Sequence, residues 1–282
     1  MSEQEQVNYG PSGVRLPMTS KNDGLLEQVT SDVHCLTIKI TNVCFIGDVT
    51  SGWVLVDTGM PNCKEDLITA LQNEFGQFNP PQAIILTHGH FDHVGAVAEL
   101  VDEWKVPVYA HTKELPFLTG EKDYPEPDTS VEGGFVAKSS KAFPNEAIQL
   151  GSAVQPLPEQ GRVPYLGEWQ WVHTPGHAPG QIALFRERDR LLVSGDAVIT
   201  VKQDELNKVY NQTQELQGPP RYLTTDWDAA KKSAETLYNL NPEIIVPGHG
   251  VPMFGQELHS QFKSLIQNFD QKAVPDKGKY LH

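Results

Sequence analysis

The segment Thr87-His88-Gly89-His90-Phe91-Asp92-His93 limits what this chain can fold into more than any other stretch. It places three histidines and an aspartate within six residues of a chain that has ten histidines in 282, too dense for a chance surface cluster. Directly before it runs Ala83 to Leu86, short and wholly apolar between turn signals, which reads as a buried strand. Directly after it, Val94 to Trp104 reads as a helix. The cluster therefore sits where a buried strand hands over to a helix. Imidazole and carboxylate together suit zinc, iron or manganese. In an extended loop side chains alternate, so His88 and His90 point the same way. As the chain turns into the helix, Asp92 and His93 diverge and can serve a second ion beside the first.

Three further pieces stand at strand ends: His177 in Thr174-Pro175-Gly176-His177-Ala178-Pro179-Gly180, Asp196 in Ser194-Gly195-Asp196, and His249 in Pro247-Gly248-His249-Gly250. Their glycines let the backbone turn sharply and bring a short side chain close to an ion. With the first cluster they make seven candidate ligands at the ends of buried strands.

Residues 1–30 are polar, with scattered Gly and Pro, and read as an extended arm. Val33 to Ile46 and Gly52 to Val56 fit a β-hairpin, and the four-residue recurrence of Leu67, Leu71 and Phe75 predicts a helix over Cys63 to Phe75. A strand is expected at Val106 to Ala110. Gly120 to Gly167 carries 12 Gly or Pro in 48 residues with interleaved aromatics, so it reads as a binding loop or insertion near the site. Strands are expected again at Glu168 to His173, Gln181 to Phe185, Leu191 to Ser194 and Ile244 to Val246. A helix capped by Thr225 or Asp226 follows the third, and a last helix is marked by Leu258, Phe262, Leu265 and Phe269. The order is strands with helices, an interruption, then strands with helices, which suggests two similar halves within one domain over 31–270 and a tail over 271–282.

At this point the chain resembles the metallo-β-lactamase superfamily, from about Val33 to Phe269. Asp57-Thr58-Gly59, the His-x-His-x-Asp-His cluster, the His177 turn, Asp196 and His249 match that family's five successive motifs in order. The resemblance implies an α/β protein built as a four-layer αββα sandwich. It implies two divalent metal ions, zinc first, with iron or manganese as alternatives. His88, His90 and His177 would hold one ion, Asp92, His93 and His249 the other, and Asp196 would bridge both. Asp57 resembles the family's buried aspartate that orients ligands without binding metal.

Two divalent ions sharing a water lower its pKa toward ~7 and yield hydroxide at neutral pH. The expected activity is hydrolysis of an ester, thioester or lactone by that bridging hydroxide, with Asp92 and Asp196 as the catalytic carboxylates. The rival is a mononuclear iron enzyme of the persulfide dioxygenase type, whose motif set is closely similar. Broad-spectrum β-lactamases of this superfamily carry Cys where Asp196 stands, and flavodiiron members carry Glu where His90 stands. Acyl-homoserine lactonases often have Tyr three residues after the bridging Asp; here that residue is Ile199, with Tyr210 or Tyr222 as spatial substitutes. Lys272, Lys277 and Lys279 are a weak parallel to the basic residues with which glyoxalase II-type enzymes hold glutathione. Phe91, Phe135, Tyr165, Val198 and Tyr222 are the candidate apolar wall for a small-molecule substrate.

Charge narrows the partners. The net charge is −14, and residues 1–141 hold 20 acidic against 9 basic side chains, so nucleic acid and anionic membranes are repelled. Arg186 to Arg190 alternates sign and reads as a solvated hairpin turn. Cys35, Cys44 and Cys63 lack the spacings of a zinc knuckle or redox pair and read as buried packing residues, Cys63 with a possible place beside the site. No apolar run approaches the ~20 residues of a membrane span. Met1 to Gly10 is polar and acidic, unlike a secretory signal, so a cytoplasmic location is expected.

Overall fold

The computed structural model describes residues 19–281, together with the backbone of 7–9 and 14–16. Those two segments form a small antiparallel pair, β1 (Val7–Tyr9) and β2 (Val14–Leu16). The other residues of the expected arm before 19 lie outside the described residues. The arm does not extend to residue 30 as expected: Leu26–Thr30 is strand β3, paired antiparallel with the next strand. Its half-buried, polar sequence hid it from a search for apolar runs.

Two mixed sheets carry the fold. The first is seven-stranded, in the order β3, β4 (Val33–Ile38), β5 (Thr41–Asp48), β6 (Gly52–Val56), β7 (Ala83–Ile85), β8 (Val108–Ala110) and β9 (Val154–Pro156). The second is six-stranded: β10 (Arg162–Val163), β11 (Leu166–His173), β12 (Ile182–Arg186), β13 (Leu191–Gly195), β14 (Ile244–Pro247) and β15 (Met253–Phe254). The principal helices are α1 (Lys64–Phe75), α2 (Val97–Trp104), α6 (Trp227–Asn239) and α7 (Gly255–Gln267). Shorter ones are α3 (Leu115–Leu118), α4 (Gly134–Ser139), α5 (Leu206–Asn211) and α8 (Phe269–Lys272).

The burial pattern sorts these elements into layers. Val33, Cys35, Ile46, Val54, Val56 and Ile85 of the first sheet meet Ile182, Leu184, Leu191, Val193 and Val246 of the second in one buried cluster. The opposite face of the first sheet packs on α1 and α2 through Leu67, Leu71, Val97 and Leu100. The outer face of the second packs on α6, α7 and α8 through Ala234, Leu237, Leu258, Phe262 and Phe269. Each Val, Ile, Leu or Phe among them stabilises the fold by about 1.5–3 kcal/mol if fully buried. Helix, sheet, sheet, helix is the αββα sandwich. Asp226 is the residue that caps α6, accepting from Ala229 N at 2.9 Å.

The two sheets repeat one topological step. In the first, antiparallel β5–β6 gives way to parallel β6–β7 across a crossover containing α1. In the second, antiparallel β12–β13 gives way to parallel β13–β14 across a crossover containing α6. Adjacent parallel strands leave their carboxyl ends side by side at the point where the connection changes, a favoured place for a ligand. Asp57 follows β6, the His88 cluster follows β7, Asp196 follows β13, and His249 closes the turn after β14. Both halves therefore deliver their functional residues to the same edge of the sandwich.

Residues 120–167 are not a featureless loop. They contain α4, edge strand β9 of the first sheet and β10 of the second. The expected tail is likewise fastened: α8 and Ala273 are packed in the core under α7. The turn after β12 corrects another expectation, because Arg186 is fully buried rather than solvated. It pairs with Asp32 and Asp189, each at 2.6 Å, and lies over the Trp169 ring at 4.8 Å.

Candidate metal centre

All seven predicted ligands are buried and come together between the two sheets. Ligand atoms of His88, His90 and His177 lie within 4.8 Å of one another, as do those of His88, His93 and Asp196, and those of Asp92, His93 and His249. Asp196 sits between the sets. Its Oδ1 is 3.4 Å from His93 Nε2, and its Oδ2 is 3.5 Å from His177 Nε2 and 3.2 Å from His249 Nε2. Asp92 Oδ2 is 3.4 Å from His249 Nε2. Gly248 is required for this approach, because a Cβ there would stand 2.1 Å from Asp196 Oδ1.

The outward nitrogens of four rings are already engaged. His88 Nδ1 meets Thr87 Oγ1 at 3.1 Å, His93 Nδ1 meets Asp57 Oδ2 at 2.8 Å, His177 Nδ1 meets Thr224 Oγ1 at 3.0 Å, and His249 Nδ1 meets the Ile40 carbonyl at 2.9 Å. Thr87 Oγ1 donates to Asp57 and Thr224 Oγ1 donates to the Pro220 carbonyl, so each hydroxyl is left to accept from its histidine. The Nδ1–H tautomer follows, which turns the Nε2 lone pair inward. His90 presents Nδ1 instead, 2.9 Å from His177 Nε2. Asp57 is not among these ligand groups. From a left-handed backbone, φ 59°, it accepts Thr87 N and Thr87 Oγ1, each at 2.7 Å.

Four buried polar atoms at the centre have no hydrogen-bond partner: His88 Nε2, His93 Nε2, Asp92 Oδ1 and Asp196 Oδ1. Unpartnered buried groups are costly, and a donor set of imidazole and carboxylate relieves that cost by holding divalent ions. The residues present fit such ions. The electrostatics divide the rings in two. Burial holds His88 and His90 well below the ordinary histidine value, with neighbouring rings adding to it, and burial brings His177 down to about 4. For His249 burial acts downward, but Asp196 and Asp92 outweigh it and raise the ring to about 10. His93 is raised in the same way by Asp196 and Asp57. Burial would raise Asp196, yet His249 and His93 hold it well below the carboxylate range.

The expected wall residues divide. Phe91 and Tyr222 join Phe143, Met60, Val131 and Val136 in one buried apolar cluster, with Phe143 5.3 Å from the Phe91 ring and 5.6 Å from the Tyr222 ring. Phe143 had not been expected there. Burial, with Asp92 and Asp196, pushes the Tyr222 hydroxyl well above the usual range, so it stays a donor. Tyr210 is 47% exposed on α5. Val198 does not reach the wall; it packs in the outer core under α6 and α7. Tyr165 is 54% exposed in the turn before β11, while His177 follows the far end of that strand, so it too is not brought to the site. Phe135 falls in α4, but its side chain lies outside what is described. Cys63 donates to the Thr58 carbonyl at 3.2 Å, and burial pushes its thiol up to about 12.

Sequence reasoning missed several residues that hold the ligand loops. Asn42 donates through Nδ2 to the carbonyls of Pro247 and Gly250 at 2.9 and 2.6 Å, gripping the His249 turn. An asparagine directly before the apolar run Val43 to Ile46 was the signal available. Thr224 and Glu114 had none.

The family model described as the metallo-beta-lactamase superfamily matches residues 36–249, and the chain belongs to that superfamily. It is 46% identical to the probable metallo-hydrolase YflN of Bacillus subtilis (strain 168), over 89% of this chain and 96% of that protein. The probable metallo-hydrolase YybB of the same organism is 30% identical over 74% of this chain and 80% of its own. Among solved structures, TTHA1623 in a di-iron-bound form is 30% identical, with TM-score 0.51, over 76% of this chain and 89% of its own. The B3 metallo-beta-lactamase BLEG-1 is 28% identical, with TM-score 0.55, over 78% of this chain and 92% of its own.

Proposed function

We propose that this chain is a dinuclear metal-dependent hydrolase of a small, neutral ester, thioester or lactone, with zinc as the metal. The observation that carries the reading is the convergence of seven buried His and Asp side chains, four of which, His88, Asp92, His93 and Asp196, hold a buried atom with no hydrogen-bond partner. The names of YflN and YybB support a metallo-hydrolase. Divalent ions held there supply Lewis acidity and lower the pKa of water toward ~7.

The chain's own residues do the rest. His88, His90 and His177 would hold one ion and Asp92, His93 and His249 the other, with Asp196 lying between the two sets. Asp57, Thr87, Thr224 and the Ile40 carbonyl orient the rings. Asp92 Oδ1 is an unpartnered acceptor, placed to take a proton from the attacking water and pass it to the leaving group. Tyr222, which packs in one cluster with Phe91 of the ligand loop, is the candidate donor for the oxygen that becomes negative. Phe91, Phe143 and Tyr222 exclude water and favour an apolar substrate.

The second reading is iron-dependent oxidation of a persulfide. The di-iron form of TTHA1623 favours iron at this kind of centre. Metal quantification on the purified protein, coupled to a panel of esters, thioesters, lactones and persulfides, separates the two. About two zinc ions per chain with ester, thioester or lactone turnover supports the hydrolase. Iron with oxygen uptake on a persulfide overturns it.

A further inference from the structure

Glu114 is a fully buried carboxylate that none of the ligand motifs contains. A buried charge is costly unless hydrogen bonds compensate it, and here the compensation is specific. Oε2 accepts the Gly89 N–H at 2.9 Å and the Tyr124 hydroxyl. Oε1 accepts the Gly180 N–H at 2.6 Å. Gly89 lies between His88 and His90 on the loop from the first sheet. Gly180 lies three residues after His177 on the loop from the second. One carboxylate thus grips both loops that supply the three-histidine set.

Sterics show that the grip is tight. A Cβ on Gly180 would stand 2.8 Å from Glu114 Cγ and 2.9 Å from its Oε1, and a Cβ on Gly89 would stand 2.8 Å from the Tyr124 hydroxyl. Both loops lie against the clamp with no room for a side chain at Gly89 or Gly180. Tyr124 reaches the ligands as well. Its ring lies 4.5 Å from that of His90 and stacks on Phe117 at 4.0 Å and 11°. Across the gap, His90 Nδ1 and His177 Nε2 are 2.9 Å apart. The other ligands are held differently, His93 by Asp57 and the His249 turn by Asn42 and the Ile40 carbonyl.

We propose that Glu114, together with Tyr124, is a positioning residue that sets the separation of the His88–His90 loop from the His177 loop and so determines metal affinity at the three-histidine half of the centre. The proposal rests on the reading that these histidines hold an ion. Because the clamp touches one half only, its loss acts on one half only. A residue that merely supported the fold would weaken both.

The test is cobalt titration of the chelated apoprotein, read by visible absorption, with His90→Ala and His249→Ala assigning the two equivalents. In Glu114→Gln an amide NH2 replaces one acceptor while the shape is kept. The His90-dependent equivalent should then bind about tenfold or more weakly with an altered absorption band. The His249-dependent equivalent should stay within about threefold of the parent, and the apoprotein's circular dichroism should not change. Equal affinities in parent and variant overturn the proposal, as does an equal loss at both equivalents. If Glu114→Gln does not fold, Tyr124→Phe removes only the hydroxyl. It should weaken the same equivalent alone, and an unchanged titration again overturns the proposal. A parent that binds no His90-dependent cobalt overturns the metal-centre reading itself, an outcome distinct from an unaffected variant of a cobalt-binding parent.

Discussion

A histidine ring offers two nitrogens, and at this centre the outward one is spoken for in four rings of five, which leaves one lone pair free in a fixed direction. Removing a ring or the central carboxylate should therefore remove the chemistry along with the ion. His90→Ala and Asp196→Ala are each expected to lower turnover about 10³-fold, the equivalent of about 4 kcal/mol, with less metal retained per chain. Full activity in either would refute the site assignment. The ligands were legible because His and Asp stand at strand ends beside glycines. Glu114 was not, because Lys113-Glu114-Leu115 reads as solvated charge and its partners are 25 and 66 residues away. Asp204 is a second carboxylate whose setting no local pattern reveals. Burial, against the opposing pull of Arg221 and Lys202, raises it from 3.8 to about 6, and its Oδ1 has no partner. The folded state thus holds this proton more tightly than the unfolded chain does, so stability falls as pH rises from about 4 to about 6 and is flat above. Asp204→Asn cannot ionise. Urea unfolding should find it more stable than the parent by about 1–3 kcal/mol at pH 7.5, with the gap closing near pH 4. A gap that does not change with pH would contradict this origin.

Elements were legible where they were apolar or strongly periodic, and lost where they were short or polar. The strands before the His88 cluster, Asp196 and His249, namely β7, β13 and β14, are built mainly on buried Val, Ile, Leu and Ala, and they stood out. Strand β3 did not, since its five residues are half-buried or exposed, and β9 did not, since three residues offer no period to read. The insertion that bears α4 owes its place to contacts remote in sequence. Asp276 N donates to Glu132 at 3.0 Å, Lys279 N donates to Asp128, and the Tyr280 hydroxyl donates to the Glu126 carbonyl at 2.9 Å. Asp128 N in turn donates to the Tyr222 carbonyl at 2.7 Å, which links this strapped segment to the aromatic wall beside the metal ligands. Truncation after Val274 removes the strap and leaves every ligand in place. KM should rise about three- to tenfold, the loss of about 1 kcal/mol of positioning, with metal content unchanged. Loss of metal on truncation would show instead that the C-terminal segment supports the centre.

At the scale of the whole molecule, the candidate ligands divide between the sheets. His88, His90, Asp92 and His93 follow the first, while His177, Asp196 and His249 belong to the second. Each of the three ligand groups except the last draws on both sheets through His177 or Asp196, and the last does so through His249. Ions held there would tie the two halves at one edge, whereas the apolar cluster between the sheets holds them along the interior. The interior contacts do not depend on metal, so the apoprotein should remain folded. The tie should still be measurable, because a ligand present at 100 times its Kd adds about 2.7 kcal/mol to stability. For a chain of this size each kcal/mol moves the melting temperature by about 2–4 °C. Chelation is thus expected to lower Tm by about 5–10 °C per well-bound ion without loss of secondary structure, and zinc should restore it. Calorimetry with and without chelator checks this. An unchanged Tm, with metal shown to have left, would mean that the ions bind the folded chain no better than the unfolded one and do not tie the two halves.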